Sequence, residues 1–253
     1  MSDILEELSA ARRKDAEERR SMRRSFAGAL RGPGVNVIAE LKRASPSEGM
    51  IRSDFRPVEL AKELEAAGAV ALSVLCEPHR FLGGESFLRE VREVTNLPIL
   101  YKDFVTTRYQ VAEAFAAGAD AVLLIAAVLD DATLADLLGI TRDLGMSALV
   151  ETHDEEEIRR AVAVGAEVIG VNCRNLRNFS CDVTLLERLL GKIPERCVRV
   201  AESGMHDGEA IRRAKAAGAD AFLVGTALMR AERPGERLGE LIGFKETKTE
   251  KGK

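Results

Sequence analysis

A chain of 253 residues, 46% of them hydrophobic, has apolar matter for one large or two small cores. Its 31% of charged residues nearly cancel to a net charge of −4, and Lys and Arg are spread along the chain apart from the N-terminal stretch, which argues against nucleic-acid and membrane-surface partners. No Trp and two Tyr leave no aromatic platform for single strands, the longest apolar run (Ala121 to Leu129) is far too short to span a bilayer, and the charged N-terminus has no signal core, so a cytoplasmic address is expected.

Residues 3–30 read as a charged, partly amphipathic helical stretch, with Ile4, Leu5 and Leu8 on one side. RGPG at 31–34 is a linker. Beyond it, four segments share one pattern: ELEAAGAVALSVL, AEAFAAGADAVLLI, RRAVAVGAEVIGVN and RRAKAAGADAFLVG. Their glycines, Gly68, Gly118, Gly165 and Gly218, recur about every fifty residues, and each sits where a left-handed cap would stop a helix. The apolar run after each glycine reads as a strand buried on both faces. A second set, VNVIAEL, LPILYKD, SALVET and VRVAESG, falls between them, each followed by a helix.

Interleaved, the two sets give eight strands near residues 36–42, 70–75, 98–102, 121–125, 147–151, 168–172, 198–202 and 221–225. Strict alternation with helices demands a parallel sheet with crossovers. Eight units in about 200 residues fit a closed (β/α)₈ TIM barrel of the α/β class, and an open doubly wound sheet is the alternative. The expected organisation is one domain over 1–253: the helical extension packed outside the barrel, the barrel over 35–243, and a disordered tail over 244–253. The four cysteines form no CxxC pair and have no His at ligand spacing, so reduced thiols are expected and no metal.

Chemistry in this fold sits at the C-terminal ends of strands. There the charges concentrate on the odd-numbered strands: Glu40 and Lys42, Lys102, Glu151, then Glu202 followed by Ser203. Asn172 ends the sixth strand. Residues two apart on a strand face the same way, and alternate barrel strands share layers, so these groups can converge on one ring. A structural ion-pair network is the plainer reading, but a mixed Lys/Glu set at the catalytic end suits acid–base work. Burial and a neighbouring Lys would lower an ammonium pKa there, and nearby Glu would oppose that. ESGM at 202–205 and VGTAL at 224–228 place Gly-containing turns after strands 7 and 8, the usual phosphate site of the fold.

The run NVIAELKRASPSEG, Asn36 to Gly49, resembles the first-strand signature of the indole-3-glycerol phosphate synthases, barrel lyases of tryptophan biosynthesis. SVLCEPHRFLGG, PILYKDF, ALVETHDEEE, IGVNCRNL, VAESG and FLVGTALM follow in the family's order, and the resemblance spans residues 3–243. It implies ring closure, decarboxylation and dehydration of 1-(2-carboxyphenylamino)-1-deoxy-D-ribulose 5-phosphate, with no metal or organic cofactor. It further implies that Lys102 is the general acid at the substrate ketone. Lys42 would contact the carboxylate and serve the dehydration, with Glu40 and Glu151 as the acid and base carboxylates. Asn172, Glu202 and Ser203 would orient the substrate and the charges. Ser45, Gly204, Gly225 and Thr226 fall where the family binds phosphate, Arg174 near the anthranilate carboxylate, and Phe81 and Phe104 along the anthranilate pocket. A monomer or weak homo-oligomer is expected.

The sequence departs from the family's habit at Glu48, Cys76, Tyr101, Thr152, Cys173 and Thr226, none of which removes a catalytic group. Two other readings stay open: a phosphosugar aldolase using Lys102 as a Schiff-base nucleophile, and a non-catalytic or engineered barrel on this scaffold.

Overall fold

The structure, a computed structural model, describes residues 14, 17, 18, 21–174 and 180–243. The expected helix face of Ile4, Leu5 and Leu8 and the tail 244–253 lie outside the described residues. Eight parallel strands close on themselves. In chain order they are β1 (Asn36–Leu41), β2 (Ala71–Leu75), β3 (Ile99–Lys102), β4 (Ala121–Ile125), β5 (Ser147–Thr152), β6 (Val168–Asn172), β7 (Val198–Glu202) and β8 (Ala221–Val224). The pairing of β1 with β8, Asn36 opposite Ala221, seals the barrel and removes the open-sheet alternative.

The main crossover helices are α1 (Pro57–Ala66), α2 (Glu85–Arg92), α3 (Arg108–Ala117), α4 (Asp131–Asp143), α5 (Glu155–Ala163), α6 (Thr184–Leu189) and α7 (Gly208–Ala216). A single turn, α8 (Thr226–Met229), and α9 (Pro234–Ile242) follow β8. All four repeat glycines have positive φ, between 80° at Gly165 and 103° at Gly218, a conformation that only glycine adopts without strain. Side-chain caps start several helices: Thr107 and Gln110 form a reciprocal capping box on α3, and Asp130, Asp154 and Asp207 cap α4, α5 and α7.

The acid in the Gly-Ala-Asp repeats has its own task. Asp120 accepts the backbone N–H of Ile99 at 2.9 Å, and Asp220 accepts that of Arg199 at 2.8 Å. Each acid thereby ties the foot of its own strand to the strand before it. Arg92 pairs with Asp120 at 2.8 Å, and Arg199 with Asp220 at 3.1 Å.

Apolar packing forms two layers. One lies between strands and helices. The other fills the barrel, where Ile38, Leu100, Leu149 and Val200 pack together with Phe26, Ala27 and Leu30. The last three come from the helical turn Phe26–Ala29 and its C-cap, which therefore close the barrel from below. Among the described residues no helix is long and apolar enough to cross a membrane.

Candidate active site

Inside the barrel, Ile38, Leu100, Leu149 and Val200 are apolar. Two residues further along each strand, where the alternation returns to the same face, stand Glu40, Lys102, Glu151 and Glu202. Lys102 Nζ lies 2.8 Å from Glu202 Oε2 and 3.5 Å from Glu151 Oε2. Lys42 Nζ lies 2.9 Å from Glu40 Oε1. All three carboxylates are buried. Room for two of them comes from a glycine on β6 and one just past β8. A Cβ on Gly170 would meet Glu202 Oε1 at 2.0 Å, and one on Gly225 would meet Glu40 Oε1 at 2.4 Å. Thr152 fixes the first of these, its hydroxyl donating to the Gly170 carbonyl at 2.7 Å.

The ring divides its protons unevenly. Burial disfavours the charge on Lys102, yet Glu202, Glu151 and Glu40 outweigh it and raise the ammonium pKa. The lowering that burial alone would bring is thus reversed, and Lys102 is a proton carrier at neutral pH. Burial also opposes ionisation of Glu151, but Lys102, His153 and Asn172 hold it down at about 2. Glu202 goes the other way, to about 7, because burial and the Glu151 charge outweigh its contact with Lys102. Its Oε1 has no hydrogen-bond partner. Glu40 is lowered, since Lys42 and Lys102 more than offset its burial.

Above the ring opens a cavity of about 360 Å³. Every residue expected at the site lines it: Glu40, Lys42, Lys102, Glu151, Asn172, Glu202, Ser203, Ser45, Phe81, Phe104, Arg174, Gly204, Gly225 and Thr226. One wall is aromatic, with the Phe81 and Phe104 rings tilted at 6.5 Å between centroids. The Phe81 loop is pinned by Glu77, whose carboxylate accepts the N–H groups of His79, Arg80 and Phe81. Asn172 Oδ1 accepts the Ser203 hydroxyl at 2.8 Å and the Arg174 N–H at 3.0 Å. Its amide nitrogen is left for Glu151. Ser203 and Gly204 both have positive φ, 65° and 72°, and this turn faces the rim on which Gly225 opens α8.

Three of the sequence's departures find partners. Glu48 is ion-paired with Arg230, which neutralises the acid on the first loop. Tyr101 donates to Asp103 at 3.2 Å, and Thr152 serves Gly170 as above. The expectation of reduced thiols is corrected: Cys173 and Cys181 are disulfide-bonded, and Cys76 and Cys197 are free and buried. An antiparallel Arg174–Cys181 bridge, with Asp182 N–H donating to the Cys173 carbonyl at 3.1 Å, brings the two cysteine Cα atoms to 5.3 Å. A spacing of eight residues carries no such signal in sequence.

Sequence reasoning missed Gly170, Glu77 and His153. An isolated glycine within a strand was a usable sign of close approach. The other two had none, because each acts through a loop.

Fold and site together define a (β/α)₈-barrel enzyme with an acid–base ring at the strand ends and Gly turns after β7 and β8. The family model for indole-3-glycerol phosphate synthase matches residues 3–241. Indole-3-glycerol phosphate synthase 2 of Streptomyces coelicolor is 47% identical, covering 96% of this chain and 100% of its own. Indole-3-glycerol phosphate synthase of Polaromonas naphthalenivorans is 43% identical over the same shares. Among solved structures, the fold is shared with thiamine phosphate pyrophosphorylase from Pyrococcus furiosus (TM-score 0.63, 19% identity, 84% of this chain and 95% of that one). The chain belongs to the indole-3-glycerol phosphate synthase family, carbon–carbon lyases of tryptophan biosynthesis.

Proposed function

We propose that the ring Glu40, Lys42, Lys102, Glu151 and Glu202 converts 1-(2-carboxyphenylamino)-1-deoxy-D-ribulose 5-phosphate to indole-3-glycerol phosphate, CO₂ and water. The observation that carries this reading is Lys102, held protonated between two carboxylates at the floor of a cavity with an aromatic wall. The phosphate sits on the turns at Gly204 and Gly225, with Ser45 and Thr226. Binding there holds the flexible sugar chain in a reactive shape, away from the reacting carbons. Arg174 receives the anthranilate carboxylate, and Phe81 and Phe104 flank its ring.

Ring closure begins when the aromatic carbon bearing the carboxylate attacks the ketone carbon. The oxygen that becomes an alkoxide takes the Lys102 proton. An alkoxide is far more basic than an ammonium group, so the raised pKa of Lys102 does not prevent transfer and keeps the donor loaded. Loss of CO₂ restores the aromatic ring. Dehydration then needs a proton at the departing hydroxyl and a base for the proton lost from the neighbouring ring CH₂ carbon, while the nitrogen lone pair assists and the N–H is retained in the indole. Lys42 with Glu40 supplies the first, and Glu151, ionised, supplies the second. Asn172 and Ser203 hold the substrate hydroxyls and the charges in register.

The same electrostatics disfavour the aldolase reading, because a Schiff-base nucleophile must be a neutral amine and three carboxylates oppose that. Borohydride should trap no adduct. In cellular terms we propose a cytoplasmic, single-domain enzyme, a monomer or weak homo-oligomer, with no nucleic-acid or membrane partner and no cofactor. The deciding experiment follows indole fluorescence from the anthranilate–ribulose phosphate substrate. Wild type should turn over, and a folded Lys102→Ala should lose about 10²–10⁴-fold in kcat. A folded wild type without product overturns the function, and full activity in the variant overturns the role of Lys102.

A further inference from the structure

Glu151 has two oxygens and two cationic neighbours. Oε2 faces Lys102 at 3.5 Å, and Oε1 faces His153 Nε2 at 3.4 Å. His153 follows β5 with the parity of Leu149 and Glu151, so its side chain lies above the same interior face. It does not line the cavity. Instead it reaches back to helix α5, where Nδ1 lies 3.1 Å from Glu157 Oε2. The same Glu157 oxygen accepts the His153 backbone N–H at 2.7 Å, and Glu157 N–H donates to the α5 cap, Asp154, at 2.8 Å. The histidine is thus clamped at backbone and ring by one residue in the first turn of a helix.

We propose that His153 is a positioning residue for the synthase reaction: from outside the cavity it fixes the orientation of the Glu151 carboxylate and transmits to it the rigidity of helix α5. The inference rests on the reading of Glu151 as a base. A cap of α5 could have been built with Asp154 and Glu157 alone. What that cap does not need is a ring nitrogen beside Glu151, and Nε2, buried without a hydrogen bond, has the Glu151 carboxylate as its ion-pair contact at 3.4 Å. Burial works against charge on the imidazole, but Glu151 and Glu157 overcome it and raise its pKa to about 10, so both ring nitrogens carry protons at neutral pH. The charged groups around it are Glu151 on its own strand, Glu157 and Asp154 from α5, and, across Glu151, Lys102 from β3 and Glu202 from β7. The two nearest are anions, so the imidazolium helps to keep Glu151 ionised as well as aimed.

The test compares wild type, His153→Asn, Glu151→Gln and the double variant in the full-length protein. His153→Asn should lower kcat by tenfold or more with KM within about threefold, and should move the acid limb of the kcat profile to higher pH. In the Glu151→Gln background the same substitution should cost nothing further. His153→Gln, whose longer amide returns a neutral donor to the position of Nε2, should recover part of kcat and leave the acid limb displaced. Additive losses, or an unmoved acid limb with near-wild-type kcat, would show that His153 serves only the helix cap and overturn the proposal. Should His153→Asn not fold, Glu157→Gln carries the same expectations, since it releases the ring from its anchor. A wild type without turnover would indict the function and not this inference. Carboxyl ¹³C titration of Glu151 would then decide it, with a higher Glu151 pKa in His153→Asn expected and an unchanged one overturning the idea.

Discussion

Asp120 at the closed end of the barrel and Glu202 at its mouth are both buried acids, and their surroundings differ in one respect. Asp120 is fully satisfied, taking Arg24 N–H on one oxygen and Arg92 and Ile99 N–H on the other. Glu202 has Lys102 on one oxygen and no hydrogen-bond partner on the other, with the Glu151 carboxylate and the bare face of Gly170 beside it. A completely paired buried charge fixes structure, whereas an incompletely paired one holds a proton that can move. On the proposed function, the same residue chemistry is thus assigned to scaffold or to reaction by how many partners surround it.

Substitution at each end should separate these roles. Asp120→Ala strands Arg92 and two backbone donors, and denaturation should show a loss of about 3–5 kcal/mol, with kcat per folded molecule near wild type. Glu202→Gln should do the reverse: a kcat loss of about a hundredfold and a small change in the denaturation midpoint. Glu202 also lends the fold a pH response. A carboxyl raised to about 7 stabilises the fold fully below its ordinary value of 4.5, and that contribution fades as pH rises through 7. Glu202→Gln should therefore gain on wild type in denaturation experiments between these pH values. Parallel curves would mean that Glu202 holds no raised proton in the fold.

Next in size is Gly170→Ala. The added methyl collides with the Glu202 carboxylate and not with backbone, so kcat should fall about tenfold or more and stability should fall by only about 1–3 kcal/mol. A variant with wild-type kcat would show that Glu202 has more freedom than its cradle suggests. The smallest effect is expected at Glu48. Glu48→Gln breaks only its exposed pair with Arg230 and should change kcat/KM less than threefold, whereas a hundredfold change would place the first loop at the reacting groups.

Much of the barrel was legible because its signals are local. Gly68, Gly118, Gly165 and Gly218 stop helices by a backbone conformation that the residue type announces, and the apolar runs behind them are short and continuous. The ring was legible for a related reason: a charge ending an apolar run is conspicuous, and strand alternation gives its direction. What stayed hidden depends on the third dimension. Gly170 matters only because Glu202 leans across from the neighbouring strand. His153 reads as the start of a turn until Glu157 is seen to hold it. Cys173 and Cys181 meet only where Arg174 and Cys181 form an antiparallel bridge.

The seam between β1 and β8 joins the first strand of the barrel to the last, pairing Asn36 with Ala221. Lys102 and Glu202, in contact at the mouth, are themselves 100 residues apart along the chain. No fragment that lacks either β1 or β7 therefore contains the whole ring, and contacts of such long range form slowly in a folding chain. Recovery of turnover after dilution from denaturant cannot precede closure of that seam. The enzyme's own reaction is thus a clock for the closing of its barrel.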